Sequence, residues 1–332
     1  MNRYYMAILW GTIALLAPRT ILADEPTPLS IALEEYDYPY PVGYLPVTTE
    51  GQELKMAYMD VTPRGGGVGK AVLLLHGKNF SGAYWKDTIG FLSHNGYRVI
   101  IPDQIGFGKS SKPNIHYSFH LMAETTKKLL DTLGIKEVIV VGHSMGGMLA
   151  TRFALMYPET TTGLVLENPI GLEDYRQFVP FVSTDELYRN ELKATPEGIR
   201  NYHRTYYVKW RPEYGEYAEI AVRQKLSAEY PRLAMSAALT YEMIYEQPVC
   251  HEFGKIQAKT VLIIGQSDRT VVGKARVRKE LLPQVGNYPE LGRKSVELIP
   301  GARLVKLENV GHIPHLEMKG KFHEALLNFL KE

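Results

Sequence analysis

With 332 residues, 45% of them hydrophobic, the chain is long enough for one large α/β domain or two ordinary ones around a sizeable core. Lys and Arg number 38 against 36 Asp and Glu; setting aside the leader described next, which holds Arg3, Arg19 and no acid, leaves 36 against 36. That balance gives no electrostatic case for a nucleic-acid partner or an anionic membrane surface, and the lone Cys250 excludes an intramolecular disulfide or a thiolate metal cluster.

Residues 1–23 read as a signal peptide. Asn2-Arg3 is a short basic start, Met6 to Ala17 is nearly all apolar, and Ile21-Leu22-Ala23 places a small residue before Asp24. Cleavage after Ala23 is expected, with export to the periplasm or beyond. An uncleaved anchor is disfavoured, because the apolar run is short for a span and is interrupted by Pro18. Residues 24–46, rich in proline and tyrosine and without a sustained period, read as an extended arm over the domain.

From residue 47 the pattern becomes that of a core, whose first part is expected to run to residue 170. Thr48 to Val61 reads as a hairpin turning at Glu50-Gly51-Gln52, and Arg64-Gly65-Gly66-Gly67 as a loop. Strand and helix then alternate. Strands are expected at Ala71–Leu75, Arg98–Pro102, Val138–Val141 and Gly163–Glu167, and helices at Trp85–Asn95, Phe119–Leu133 and Met148–Tyr157. Such alternation predicts a doubly wound, mostly parallel sheet covered on both faces. Residues 171–254 break the rhythm. They show no strand-like run and carry Tyr, Glu and Arg at helical spacings, as in Tyr202, Tyr206 and Trp210, so a helical insertion is expected. Residues 255–332 complete the core with strands at Thr260–Ile264 and Ala302–Leu307 and a helix at Lys321–Leu330.

The most telling stretch is Val138-Ile139-Val140-Val141-Gly142-His143-Ser144-Met145-Gly146-Gly147. A buried strand runs into a G-x-S-x-G turn and then a helix, a reversal that forces its middle residue into a strained conformation. Gly142 and Gly146 remove the clashes, and Ser144 is left as a candidate nucleophile held proud of the sheet. A serine nucleophile needs a base and an acid that orients the base. Asp268 stands in the loop after the strand Thr260–Ile264, and His312 in the loop after the last strand. In a doubly wound sheet all strand C-terminal ends share one edge, so Ser144, Asp268 and His312 can converge. Glu167 is the alternative acid and His315 the alternative base. Asp268 could instead cap a helix at Thr270, and His312 could be a surface residue. For the oxyanion, the backbone N–H of Met145 and that of Lys78, in the loop after Leu75, are the expected donors. His76 is expected to brace that loop, and Asn79 to face the pocket.

These motifs together resemble the α/β-hydrolase superfamily with a lid. The resemblance covers residue 47 to the end and rests on His76-Gly77, Asp103-Gln104-Ile105-Gly106-Phe107-Gly108-Lys109-Ser110, Gly142 to Gly147, Gly265-Gln266-Ser267-Asp268 and Gly311-His312. It implies an α/β-hydrolase fold with the insertion as a lid, and the order Ser, Asp, His matches the superfamily's. Dehalogenases and epoxide hydrolases of the superfamily use an aspartate nucleophile, which Ser144 disfavours. Esterases, prolyl-type aminopeptidases, carbon–carbon bond hydrolases and lactonases remain. Asp103 to Ser110 resembles a structural turn common to all of these. Tyr206 and Trp210 are candidate pocket residues among the insertion's aromatics, and Asp185, Glu186 and Glu191 are the acids an aminopeptidase would need.

The expectation is an exported serine hydrolase cleaving a small or medium carboxylic ester through an acyl-enzyme. No cofactor is expected, and metal chemistry has little support, since there is no His-Glu-x-x-His run and the histidines are scattered. The alternative from another class is a ligand-binding receptor that keeps the fold with little or no turnover.

Overall fold

The computed structural model describes residues 26–66 and 69–332; the expected signal peptide lies outside the described residues. Val42–Thr49 (β1) and Gln52–Val61 (β2) form an antiparallel hairpin. Glu50 and Gly51 close it with φ of 48° and 70°, the left-handed pair that matches strand twist. The strand begins at Val42, so the arm ends near residue 41 rather than 46. Pro46 hides this in the sequence: it sits within a strand, and β1 is an edge, where a missing N–H costs no ladder bond.

Ala71–Leu75 (β3), Lys86–His94 (α1), Arg98–Pro102 (β4), Phe119–Thr132 (α2), Val138–His143 (β5), Met145–Met156 (α3) and Thr161–Glu167 (β6) follow. Thr184–Lys193 (α4), Pro196–Arg204 (α5), Gly215–Lys225 (α6) and Tyr230–Glu246 (α7) occupy the insertion, which holds no strand. Thr260–Gly265 (β7), Tyr288–Leu298 (α8), Arg303–Leu307 (β8), the single turn Pro314–Glu317 (α9) and Lys319–Leu330 (α10) complete the chain. α8 is not among the elements expected from the sequence, because its fully buried residues are Tyr288, Gly292 and Ser295, with only the half-buried Leu291 and Val296 as aliphatic contacts.

The eight strands form one sheet in the order β1-β2-β4-β3-β5-β6-β7-β8, antiparallel up to the β2–β4 pair and parallel beyond it. Alternate residues feed opposite cores. Leu73, Leu75, Val140, Leu164 and Leu262 pack with α2, α3 and Tyr288, while Val72, Leu74, Val141, Val165 and Val261 pack with α1 and α10. The sheet is therefore covered on both faces, and its fully buried parallel strands read as continuous apolar runs. No helix among the described residues is long and apolar enough to cross a membrane.

The arm does more than lie on the surface. Leu29, Ile31 and Leu33 are buried, the Leu29 N–H donates to the Arg223 carbonyl (3.0 Å) and Lys109 Nζ to the Leu33 carbonyl (2.5 Å). Tyr38 Oη donates to Asp103 (2.6 Å), so the arm straps α6 to the core through the Asp103–Ser110 turn. Asp103 also accepts from the N–H groups of Gly82 and Lys109 at 2.7 Å each, a structural duty as expected for that turn.

The passage from β5 to α3 leaves no room at its glycines. A Cβ on Gly142 would stand 2.2 Å from the Gly146 carbonyl oxygen, and one on Gly146 the same distance from that of Leu75. Both obstacles are backbone and cannot swing aside. Gly146→Ala is therefore expected to lower stability by about 3 kcal/mol or more, measured by urea unfolding; an unchanged midpoint would contradict the packing described.

Candidate active site

Ser144 ends β5 and precedes α3 with φ 56° and ψ −121°, a conformation costly for a side chain with a Cβ. The reversal brings its hydroxyl to the sheet edge where β7 and β8 also end. There His312 Nε2 lies 2.9 Å from Ser144 Oγ, and His312 Nδ1 lies 2.7 Å from Asp268 Oδ2. The structure thus brings the three residues into one hydrogen-bonded line, all of them buried. Nδ1–H donates to the carboxylate, leaving Nε2 to accept from the serine hydroxyl.

Asp268 is more than a partner for the imidazole. Burial pushes its carboxyl up, but the His312 ring beside it and hydrogen bonds from His312, Asn168 and Thr270 outweigh burial and hold it below the ordinary range. Asn168 follows β6 with φ 35°, and its side chain donates to Asp268 Oδ2 (2.7 Å) and accepts from the Gly265 N–H (2.8 Å). It was not singled out from the sequence; an asparagine ending a strand before Pro169 was the available signal.

Met145 opens α3, so its N–H has no helical acceptor. Gly77 abuts Ser144, a Cβ there standing 3.2 Å from the serine Cβ, and Lys78 is the next residue. Neither the Met145 nor the Lys78 N–H donates to another described backbone or side-chain group. His76 braces the loop: its Nδ1–H donates to the Gly77 carbonyl (2.9 Å) and Nε2 accepts from the Gln104 N–H (3.1 Å).

His143 ties this loop to the His312 loop. Its Nε2–H donates to the His312 carbonyl (2.8 Å), while Nδ1 accepts from Tyr84 Oη (3.0 Å), which itself accepts from the Gly77 N–H (3.0 Å). Burial takes His143 down to about 3, so it stays neutral and keeps both bonds at pH 7. The carboxylate of Glu167, the alternative acid, bonds to neither Ser144 nor His312, although its backbone carbonyl accepts from the Ser144 N–H (3.2 Å). It pairs with His315, the alternative base, at 2.9 Å beneath Trp85, and burial drives Glu167 up to about 7 and His315 well down.

The insertion grips the His312 loop directly. The His312 N–H donates to the Tyr206 carbonyl (2.7 Å), and the Tyr206 ring stacks on the imidazole at 5.2 Å. The Glu317 carboxylate bridges the two segments, accepting from the Gly311 N–H (2.6 Å) and the Val208 N–H (2.8 Å). No sequence signal marked Glu317.

A cavity of about 420 Å³ opens between the Lys78-Asn79 loop and the insertion, with Phe80, Leu187, Tyr202 and Tyr241 in its wall; Ser144, Met145 and His312 do not line it, and it meets the site through Lys78, the residue after the Gly77 that abuts Ser144. Asn79 lines it and donates to Tyr206 Oη (2.6 Å). Tyr206 belongs to the His312 contact rather than to the cavity wall. Trp210 is in neither place: it packs edge-on against Tyr207 and Tyr214. The supposed helical spacing misleads because α5 ends at Arg204, so Tyr206 and Trp210 lie past the helix that carries Tyr202. Of the three acids considered for an aminopeptidase, Glu191 alone lines the cavity.

A serine on a strand-to-helix reversal, with a histidine and an aspartate from later strand ends of a mostly parallel sheet, is the arrangement of an α/β hydrolase. The model of the alpha/beta hydrolase fold family matches residues 70–318, and the chain belongs to that family. Among similar proteins, a probable hydrolytic enzyme from Pseudomonas aeruginosa of known structure is 45% identical, covering 92% of this chain and 99% of its own, with a TM-score of 0.90. A 2-hydroxy-6-oxononadienedioate/2-hydroxy-6-oxononatrienedioate hydrolase of Paraburkholderia phymatum is 29% identical over 86% of this chain and 94% of its own length. A 2-hydroxy-6-oxo-6-phenylhexa-2,4-dienoate hydrolase of Burkholderia cepacia is 28% identical over 80% and 88%. The protein is a hydrolase of this fold.

Two measurements check the geometry. Glu317→Gln removes the charge and leaves one carbonyl oxygen for two N–H donors, and unfolding free energy is expected to fall by about 1 kcal/mol; no change would show that the bridge is not made. His143 and His203, held by burial at about 3 and about 4, sit below their unfolded value of about 6.5. As pH falls through 6.5 the unfolded chain gains protons that the native state refuses; Glu167, raised to about 7, opposes this as one group against two, so stability is expected to drop towards pH 4. Thermal unfolding at pH 7, 6 and 5 reads this out, and a midpoint that rises on acidification would contradict it.

Proposed function

We propose that this hydrolase cleaves a small or medium carboxylic ester through Ser144, His312 and Asp268. The observation that carries the reading is the unbroken Ser144–His312–Asp268 hydrogen-bonded line. His312 Nε2 takes the hydroxyl proton as Oγ attacks the ester carbonyl, and Asp268 fixes the tautomer and balances the imidazolium that forms. The N–H groups of Met145 and Lys78 hold the negative oxygen. His312 then returns its proton to the departing alcohol, leaving an acyl-Ser144. A water enters, gives its proton to His312, and attacks the acyl carbon; Ser144 is released with the proton back on its oxygen.

The helical insertion serves as a lid, supported by its place over the cavity and its bonds to the His312 loop. Export rests on the N-terminal sequence: a basic start, an apolar run and a small residue before Asp24. A second reading, hydrolysis of a carbon–carbon bond on the same three residues, draws support from the two relatives whose names specify dienoate substrates.

Hydrolysis of 4-nitrophenyl esters of two to eight carbons tests the first reading against a 2-hydroxy-6-oxo dienoate. Ester turnover exceeding dienoate turnover is expected, and the reverse order would install the second reading. Ser144→Ala and Asp268→Asn are each expected to cost on the order of 10⁴ in kcat, and full activity in Ser144→Ala would overturn the mechanism.

A further inference from the structure

The cavity between the Lys78-Asn79 loop and the insertion carries three charged side chains on otherwise mostly uncharged walls: Lys78, Glu191 and Arg276. Two cations against one carboxylate leave a net positive charge of one. His203, the imidazole in the wall, adds none, because burial takes it down to about 4. Lys78 is half-buried between the loop and the insertion, and its ammonium makes no hydrogen bond or ion pair with a described residue; Glu191 acts on it only at a distance. Arg276 lies over the Tyr241 ring at 5.2 Å and donates to its hydroxyl, yet its buried Nε has no partner.

An ammonium partly withdrawn from water with no counter-charge in contact is unfavourable, and burial accordingly pulls the Lys78 amine below its ordinary range. A protein that needed only the backbone of this residue for its oxyanion contact could carry any side chain there. The one present is a cation in the cavity wall with no acceptor in contact with it. A ligand with one negative charge would complete both the hydrogen bonding of Lys78 and the charge balance of the cavity. A dianion would exceed that balance.

On the ester-hydrolase reading above, we propose that the substrate carries a carboxylate in addition to the scissile ester, and that this carboxylate seats on Lys78 Nζ with Arg276 as the second cation of the same cavity. Lys78 is then a specificity-determining residue through its side chain and an oxyanion donor through its backbone. Because both functions leave from one Cα, the carboxylate lies close to the reacting carbon, as in the half-ester of a short dicarboxylic acid. The cavity, about 420 Å³, is of a size to hold such an acyl group.

The test compares 4-nitrophenyl hydrogen glutarate with 4-nitrophenyl methyl glutarate, which differ by one charge. Wild-type protein is expected to favour the acid in kcat/KM by about tenfold or more, the scale of a charge-assisted hydrogen bond. In Lys78→Met that ratio falls to near one, and in Lys78→Arg it is largely kept. A ratio cancels any general damage to the oxyanion contact. Equal rates in the wild type, or an acid preference unchanged in Lys78→Met, overturns the proposal.

Calorimetry of Ser144→Ala with monomethyl glutarate and dimethyl glutarate reads the same site without turnover. The monoanion is expected to bind more tightly, and loss of that difference on adding Lys78→Met supports the seat; equal binding of the two overturns it. If the wild type hydrolyses neither ester, the hydrolase reading fails on kinetics while the calorimetry still decides the carboxylate site.

Discussion

The backbone at Ser144 is the constraint on which the rest of the site depends. With φ of 56° and ψ of −121° the chain turns from β5 into α3 within one residue, and neighbouring segments pass so closely that Gly142 and Gly146 admit no side chain. The strain is held by both cores of the sheet, since the parallel strands on each side are buried at every residue but Thr162. Its result is geometric. The hydroxyl stands at the sheet edge, the first N–H groups of α3 are left without helical acceptors, and the loops after β3, β7 and β8 all arrive at the same point.

Those loops are held by one another rather than by the sheet alone. His143, next to the serine, donates to the His312 carbonyl and links through Tyr84 to Gly77, while Asn168 joins the ends of β6 and β7 to Asp268. The insertion enters this network through the Tyr206 carbonyl and the Glu317 bridge. It cannot shift away from the core without straining the His312 loop. Its position over the cavity and the geometry of the imidazole are therefore mechanically coupled.

Much of this was legible in the sequence, for identifiable reasons. Val138 to Val141 is a run of β-branched residues, and glycines flank Ser144 at the spacing a sharp reversal requires. Asp268 and His312 follow strands whose apolar character is equally plain, so topology alone places them at one edge. Three features were hidden. The hairpin's first strand contains Pro46, tolerable only because β1 is an edge, and α8 buries glycine and serine where an aliphatic stripe would have announced it. The third is the grip on His312, made largely by backbone groups such as the Tyr206 carbonyl, which leave no trace in residue type. Trp210 shows the opposite failure. Aromatics spaced at four residues imitate a helix face, but the helix stops at Arg204.

The central claim is that the Ser144–His312–Asp268 line activates the serine. The most direct measurement is peptide mapping by mass spectrometry after treatment with a fluorophosphonate, a reagent that reports an activated serine whatever the natural substrate. A single adduct on Ser144, absent in His312→Ala, is the predicted result. An adduct at another serine, or one on Ser144 that forms as fast in His312→Ala as in the wild type, would contradict the account.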